Sequence, residues 1–218
     1  MRKKEGEGFD KLSPNGVGVG GWASEQGRAR MIRVLIGAAV AAVAMFLIGF
    51  VFFATPLGAL GTGSVDDVPA AAVQQSLAAN LPRTGTYYVP SPEASSEQTV
   101  MYGQGPVATI HYNSGGFPAM DPTALIGGLV LDFVVALLIG AALLGIGDRV
   151  TDFSSRAKVV VLFSVAATAF MQLSEPIYYH HDWPHFIYLF IADTLALSVA
   201  GLIIARWFLP GERVRGTG

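Results

Sequence analysis

The chain contains no cysteine. That absence excludes disulfides, a thioether lipid anchor, thiolate metal sites and a cysteine nucleophile. Charge is also scarce: 14% of the 218 residues are charged, against about 25% in an ordinary soluble domain. Histidine occurs four times and never in the middle of an apolar run. A bis-histidine haem inside a membrane is therefore excluded, as are the histidine boxes of di-iron membrane oxygenases. Gly18, Gly20 and Gly21 have no strand before them and no Gly-Lys-Ser/Thr after them, so they make no phosphate loop. Asn113-Ser114-Gly115-Gly116 is a turn signal without the G-x-S-x-G elbow of a serine hydrolase. No nucleic-acid partner is expected, and there is no repeat array.

What the chain does have is long apolar runs. Hydrophobic residues make up 52% of it and the mean hydropathy is +0.49. A spanning helix needs about 20 apolar residues at 1.5 Å rise each. Val34–Phe53, Leu125–Ile146 and Phe186–Phe208 meet that length, and Val159–Leu173 meets it when extended to Ala157–Ser174. Thr55-Pro56 ends the first run and Glu175-Pro176 the third, because a residue before proline is biased away from the helical region. The expected fold class is an all-α membrane protein: four transmembrane helices in a bundle, with a small α+β extracytoplasmic insert between helices 1 and 2. Residues 1–30 read as a disordered cytoplasmic tail, 31–56 as the first transmembrane helix, 57–122 as the insert, 123–209 as helices 2–4, and 210–218 as a cytoplasmic tail. Met31 abuts the first run, which leaves both Met1 and Met31 open as starts. Within the insert, Val68–Leu81 reads as an amphipathic helix, and Gly85–Val89 and Val107–Tyr112 read as strands. The segment between the strands reads as a loop or a short helix.

Thirteen of the fourteen Lys and Arg flank the runs on one side, and Arg83 is the exception. The positive-inside rule makes that side cytoplasmic, with both termini there. All four histidines then fall outside, and Tyr178, Tyr179, Trp183 and Tyr188 form an aromatic belt, with Trp207 at the inner face. A bacterial cytoplasmic membrane is the expected location. Small residues at Gly37, Ala41 and Ala44, at Ala38 and Ala42, and at Ala141 and Gly145 are spaced to let helices approach closely.

Two constellations carry possible chemistry. Asp132 and Asp193 each interrupt an apolar run at a matched depth, and Glu175 lies above them at the end of the third run. An acid costs about 2.5–3.5 kcal/mol at the bilayer centre, less towards the interface, so it faces a bundle interior or a wet cavity. The three acids are candidates for handling protons or cations, with the two aspartates expected within reach of each other. A faint internal echo accompanies them: Pro122 precedes Asp132 much as Pro184 precedes Asp193, and Gly140 and Gly201 each follow their aspartate by eight residues. The second constellation is His180, His181, Asp182 and His185, whose imidazoles and carboxylate suit a transition metal. Asp182 or Trp183 is expected to cap the helix that Pro184 opens, and His111 reads as a surface histidine on a strand. The leading functional expectation is a non-enzymatic accessory or scaffold component, with the lipid bilayer and other membrane proteins as partners. The alternatives are a proton- or cation-coupled transport component and an extracytoplasmic metal-binding membrane enzyme.

Overall fold

The computed structural model describes residues 25–210. The tail expected to be disordered over residues 1–24, and the C-terminal residues 211–218, lie outside the described residues. The described chain is mostly helical. In order it forms α1 (Glu25–Phe53), a 3-10 turn (Pro56–Leu60), α2 (Asp67–Asn80), β1 (Gly85–Val89), α3 (Ser96–Gln104), β2 (Ala108–Tyr112), α4 (Pro122–Ile146), α5 (Phe153–Tyr178) and α6 (Trp183–Ile203). The last helix continues through a π-helical turn at Ile204–Phe208. β1 and β2 pair antiparallel, with Tyr87 opposite Ile110 and Tyr88 opposite Thr109.

Four helices are long and apolar enough to cross a membrane: α1 from Gly27, α4, α5, and α6 with its π turn. The starts of α4, α5 and α6 are set by side-chain caps. Asp121 accepts from the Thr123 N–H at 2.9 Å, Asp152 from the Ser155 N–H at 2.8 Å and Asp182 from the His185 N–H at 3.1 Å. Each carboxylate satisfies a backbone donor that the first helical turn leaves free. α1 ends where Thr55 donates to the Val51 carbonyl at 2.6 Å and Pro56 follows.

α1 packs along both α4 and α6, and α5 packs along α6. α4 and α5 face each other across an apolar cleft of about 420 Å³. The buried stripe of α1 is Val34, Gly37, Ala38, Ala41, Ala42 and Met45, one face of a 3.6-residue period. Only 17% of the most apolar window of α4, and the same share of α5, is buried by the rest of the chain. Large exposed side chains such as Leu138, Leu162, Phe163 and Phe170 therefore need hydrocarbon rather than water around them.

The sequence echo has a counterpart in the packing. A Cβ added at Gly140 would lie 2.7 Å from Val34 Cγ1, and one added at Gly201 would lie 2.5 Å from Val160 Cγ1. In each of the pairs α1/α4 and α5/α6, a valine seats against the glycine eight residues beyond the aspartate. Both aspartates also stand ten residues into their helices, roughly 15 Å along the axis.

Four sequence expectations need correction. α1 begins at Glu25, so residues 25–30 extend the first helix instead of belonging to a tail. α5 runs through Pro176 to Tyr178, closed by the Tyr179 N–H on the Glu175 carbonyl at 3.0 Å; Pro176 has no N–H to give the Gln172 carbonyl, and the helix ends two residues later. The small pair that packs on α4 is Ala136 and Gly140, both buried, whereas Ala141 and Gly145 are exposed. α2 forms where the pattern placed a helix, but none of its residues is buried, and Val68 and Val73 are exposed.

The helix ends segregate by chemistry. At one end Arg30 pairs with Asp148 at 3.7 Å and Arg206 lies 5.7 Å over the Phe153 ring. At the other, Tyr188 donates to the Phe52 carbonyl and its ring packs 5.5 Å from that of Phe52. Tyr188 thus ties α6 to α1; Tyr178, Trp183 and Trp207 are exposed. The close approaches predict an asymmetry among glycines. Gly201→Leu should cost about 1–3 kcal/mol by overpacking Val160, while Gly145→Leu, with nothing near its added Cβ, should be nearly silent. Thermal unfolding of both variants in one detergent checks this, and equal losses would contradict the packing described.

Candidate functional site

The buried face of α5 repeats every four residues: Arg156, Val160, Ser164, Thr168 and Pro176 are buried and Gln172 is half-buried. Two of these, Thr168 and Gln172, are polar groups that bond side chains of α6. Thr168 directs its single hydroxyl proton to the Ser164 carbonyl at 2.8 Å. The Thr168–Thr194 contact at 2.6 Å is therefore donated by Thr194. One turn towards the histidine end, Gln172 Nε2 donates to Asp193 Oδ2 at 2.6 Å. Ser198 follows Thr194 by one turn of α6. The Ser198 hydroxyl is buried without a protein partner, at a cost of about 1–3 kcal/mol unless a water or another ligand meets it. Ser164 also lines the α4/α5 cleft. The result is a ladder of hydroxyls, amide and carboxylate along the α5/α6 contact.

The ladder opens at its Gln172 end into a cavity of about 730 Å³. The floor includes Gln172 and Glu175 of α5, and Thr86, Tyr88, Thr109 and His111 of the β-hairpin form the opposite wall. All four histidines line it, together with Glu175 and Asp182, and no Lys or Arg does. Aromatic rings hold the hairpin in place. Tyr88 stacks on Tyr179 at 6.2 Å, Tyr179 on His181 at 5.7 Å, and His181 on Phe186 at 5.5 Å. The Tyr88 phenol is held above its ordinary pKa, chiefly by the neighbouring Tyr179 phenol. His181 bridges further: its Nε2 is 3.2 Å from Thr109 Oγ1 and its Nδ1 is 3.3 Å from Glu175 Oε2. The second distance is close, yet Nδ1 has no partner of hydrogen-bond geometry; the contact is electrostatic proximity, not a formed bond.

The structure separates the sequence candidates. Asp193 and Glu175 belong to the ladder and the cavity floor. Asp132 is half-buried and, among the described residues, makes no hydrogen bond or ion pair with Asp193 or Glu175. Counting from the matched valines explains why. Where α5 carries Ser164, Thr168 and Gln172, α1 carries Ala38, Ala42 and Phe46. Where α6 carries Thr194 and Ser198, α4 carries Phe133 and Leu137. The first hairpin shares the mould and lacks the polar lining.

The four residues expected to ligate a metal line one cavity but do not converge. Asp182 caps α6, and His185 Nδ1 donates to the Gly61 carbonyl at 2.6 Å. His181 faces Glu175 and Thr109, and His180 takes a positive φ of 54° where the chain leaves α5. Among the described residues no group of three or more His, Asp or Glu could hold a metal ion. His111 is exposed on its strand, as the sequence predicts, and it also lines the cavity, with Nδ1 3.1 Å from Thr86 Oγ1. Only the strand pairing, which faces it towards a loop some seventy residues away, reveals this. Ser114 pairs with Thr84 at 2.9 Å.

No protein-family model matches this chain, and no curated protein and no solved structure is significantly similar to it.

The stack generates a test of how the hairpin is held. Tyr179→Ala removes two ring contacts, worth about 1–3 kcal/mol together. Amide exchange across Thr86–Val89 should accelerate, read by mass spectrometry, while Tyr178→Ala, at a residue 76% exposed, should leave it unchanged.

Proposed function

We propose that this chain is a multispanning membrane protein that handles protons or small cations without being an enzyme. The observation that carries the reading is the α5/α6 ladder. Polar groups at membrane depth are costly and are kept where an ion or proton passes. Here they occupy one of two equivalent hairpins and connect a wet cavity to the interior. In this reading Glu175 gathers the cation at the cavity floor and Asp193, oriented by Gln172, accepts it. A proton on Asp193 reaches the Thr194–Thr168 hydroxyl pair through a water: Thr194 takes it up and gives its own to Thr168, and Thr168 turns from the Ser164 carbonyl to give its own to a second water. Asp132 stands outside the relay.

The same reading takes the basic end as cytoplasmic, with both termini there, in a bacterial cytoplasmic membrane. The asymmetry of Lys and Arg supports that orientation, and the hairpin and cavity then lie outside. Reporter fusions at Ser91 and Thr151 should report opposite sides; matching sides would remove the four-span topology.

A second reading, that the chain is an accessory or scaffold component of a larger membrane assembly, draws support from the sparse burial of α4 and α5. Gentle solubilisation of a tagged chain should then bring down stoichiometric membrane partners. The metal-enzyme reading gains no support from the separated histidines.

The decisive measurement is acid-driven flux into proteoliposomes loaded with a pH dye. Asp193→Asn and Thr168→Val should each slow it about tenfold or more, a barrier increase of about 1.4 kcal/mol. Asp132→Asn should stay near wild type. Wild-type flux in Asp193→Asn, with the fold preserved, would sink the relay.

A further inference from the structure

One side-chain atom at the cavity is buried without a hydrogen-bond partner: Nδ1 of His181. Solvent does not reach it, and Glu175 Oε2 lies 3.3 Å away. The other ring nitrogen is engaged, with Nε2 3.2 Å from Thr109 Oγ1. His181 thus stands between the last turn of α5, which carries Glu175, and β2, which carries Thr109. Its ring is held in place between Tyr179 and Phe186, at 5.7 and 5.5 Å. Two side-chain contacts among the described residues join the hairpin to this link: the Tyr88–Tyr179 ring pair and the Thr109–His181 bond. So light an attachment responds to a change in either.

The protonation state of His181 is such a change. A neutral imidazole carries one N–H. With that proton on Nε2, the Nδ1 lone pair faces a carboxylate oxygen and the two repel. With it on Nδ1, the ring meets Glu175 without a positive charge, and Thr109 must turn its hydroxyl to donate. The imidazolium donates from both nitrogens at once, to Glu175 and to Thr109. Its bond to the carboxylate is then charge-assisted, about twice as strong as a neutral one. No water reaches Nδ1 to substitute for the proton. The charged and titratable groups around the ring leave this pairing unopposed. On α5 there is Glu175; in the link, His180, whose φ is 54°, and Asp182, which caps the His185 N–H. On α6, His185 Nδ1 is committed to the Gly61 carbonyl. On the hairpin, His111 is committed to Thr86, and Tyr88 to the ring stack; Tyr102 of α3 lines the adjoining recess with His181. No Lys or Arg lines either space.

We propose that His181 is a pH-sensitive clasp: when protonated it pairs with Glu175 while holding Thr109, and so fastens the β-hairpin to the end of α5. The clasp tightens as pH falls through the range where histidine gains its charge and slackens as pH rises. It stands without the proton relay. One consequence does rest on that reading: the proton that tightens the clasp also neutralises Glu175 as a gatherer of cations, so acid restrains entry at the cavity.

The test reads the hairpin, not flux, so failure of the relay leaves it intact. Amide exchange of the full-length chain in mild detergent is followed by mass spectrometry over Thr86–Val89 and Ala108–Tyr112. It is measured at about pH 7.5 and about pH 5.5, which bracket ordinary histidine titration and lie above that of carboxylates. Each pH is referenced to exchange of the unfolded chain. Protection of the wild-type hairpin should rise about fivefold at the lower pH, the scale of one charge-assisted bond in place of a neutral one. Glu175→Gln and His181→Gln should each flatten that rise, and His180→Gln should keep it. Glu175→Gln decides the matter where His181→Gln loosens the ring stack at every pH. An unchanged rise in Glu175→Gln, or no rise in the wild type, overturns the clasp. Loss of the rise in His180→Gln assigns the response to the neighbouring histidine and overturns it too.

Discussion

The structure depends on how closely its helices approach. In hydrocarbon, helices gain nothing from leaving the solvent, so association rests on van der Waals contact and interhelical hydrogen bonds. The chain meets this with valine-into-glycine contacts at Val34/Gly140 and Val160/Gly201, and with Gly37 against Phe208. These contacts fix the register of each antiparallel pair. Once Val160 is seated on Gly201, Thr168 must come level with Thr194, and Gln172 must reach Asp193. A larger residue at Gly201 would part the helices, and hydroxyls that meet at 2.6 Å would no longer touch. The ladder is thus a product of packing; its own hydrogen bonds, about 1 kcal/mol each, need the register already set.

Much of this architecture is legible in the sequence, for identifiable reasons. Apolar runs of membrane length mark the four long helices, and aspartate or threonine with a neighbouring proline marks several of their ends. The strands show in Gly85–Val89 and the residues before Tyr112 because β-branched and aromatic residues cluster there. Spacing alone does not say which stripe of small residues faces a partner. Ala141/Gly145 and Ala136/Gly140 have the same spacing, and only the second is buried. Proline marks a boundary only to within a turn, so α5 continues past Pro176.

The candidate site was legible in part. Its residue types stand out as scarce polar groups in an apolar chain, and Glu175 and Asp193 were found that way. Their partners were not. Thr168, Gln172 and Thr194 are ordinary in isolation and become informative only when α5 and α6 are in register. Likewise His111 joins the cavity through strand pairing, and the Tyr88–Tyr179–His181–Phe186 stack joins β1 to a segment far along the chain. The matched depth of Asp132 and Asp193 suggested a shared site, but depth fixes one coordinate and leaves azimuth free.

The two hairpins have one mould and different linings. In the first, Ala38, Ala42, Phe133 and Leu137 fill the positions that hold hydroxyls in the second. Such a division of labour relaxes a conflict that a single hairpin would face. A polar interior weakens the fit between helices, and a purely apolar one holds no hydrogen-bonding groups between them. Because α1 touches both α4 and α6, the apolar half acts as a buttress against which the wetter half is braced. The protein can therefore lose or gain individual hydroxyls along α5 and α6 while its frame holds, and chemistry at this seam is open to change without rebuilding the fold.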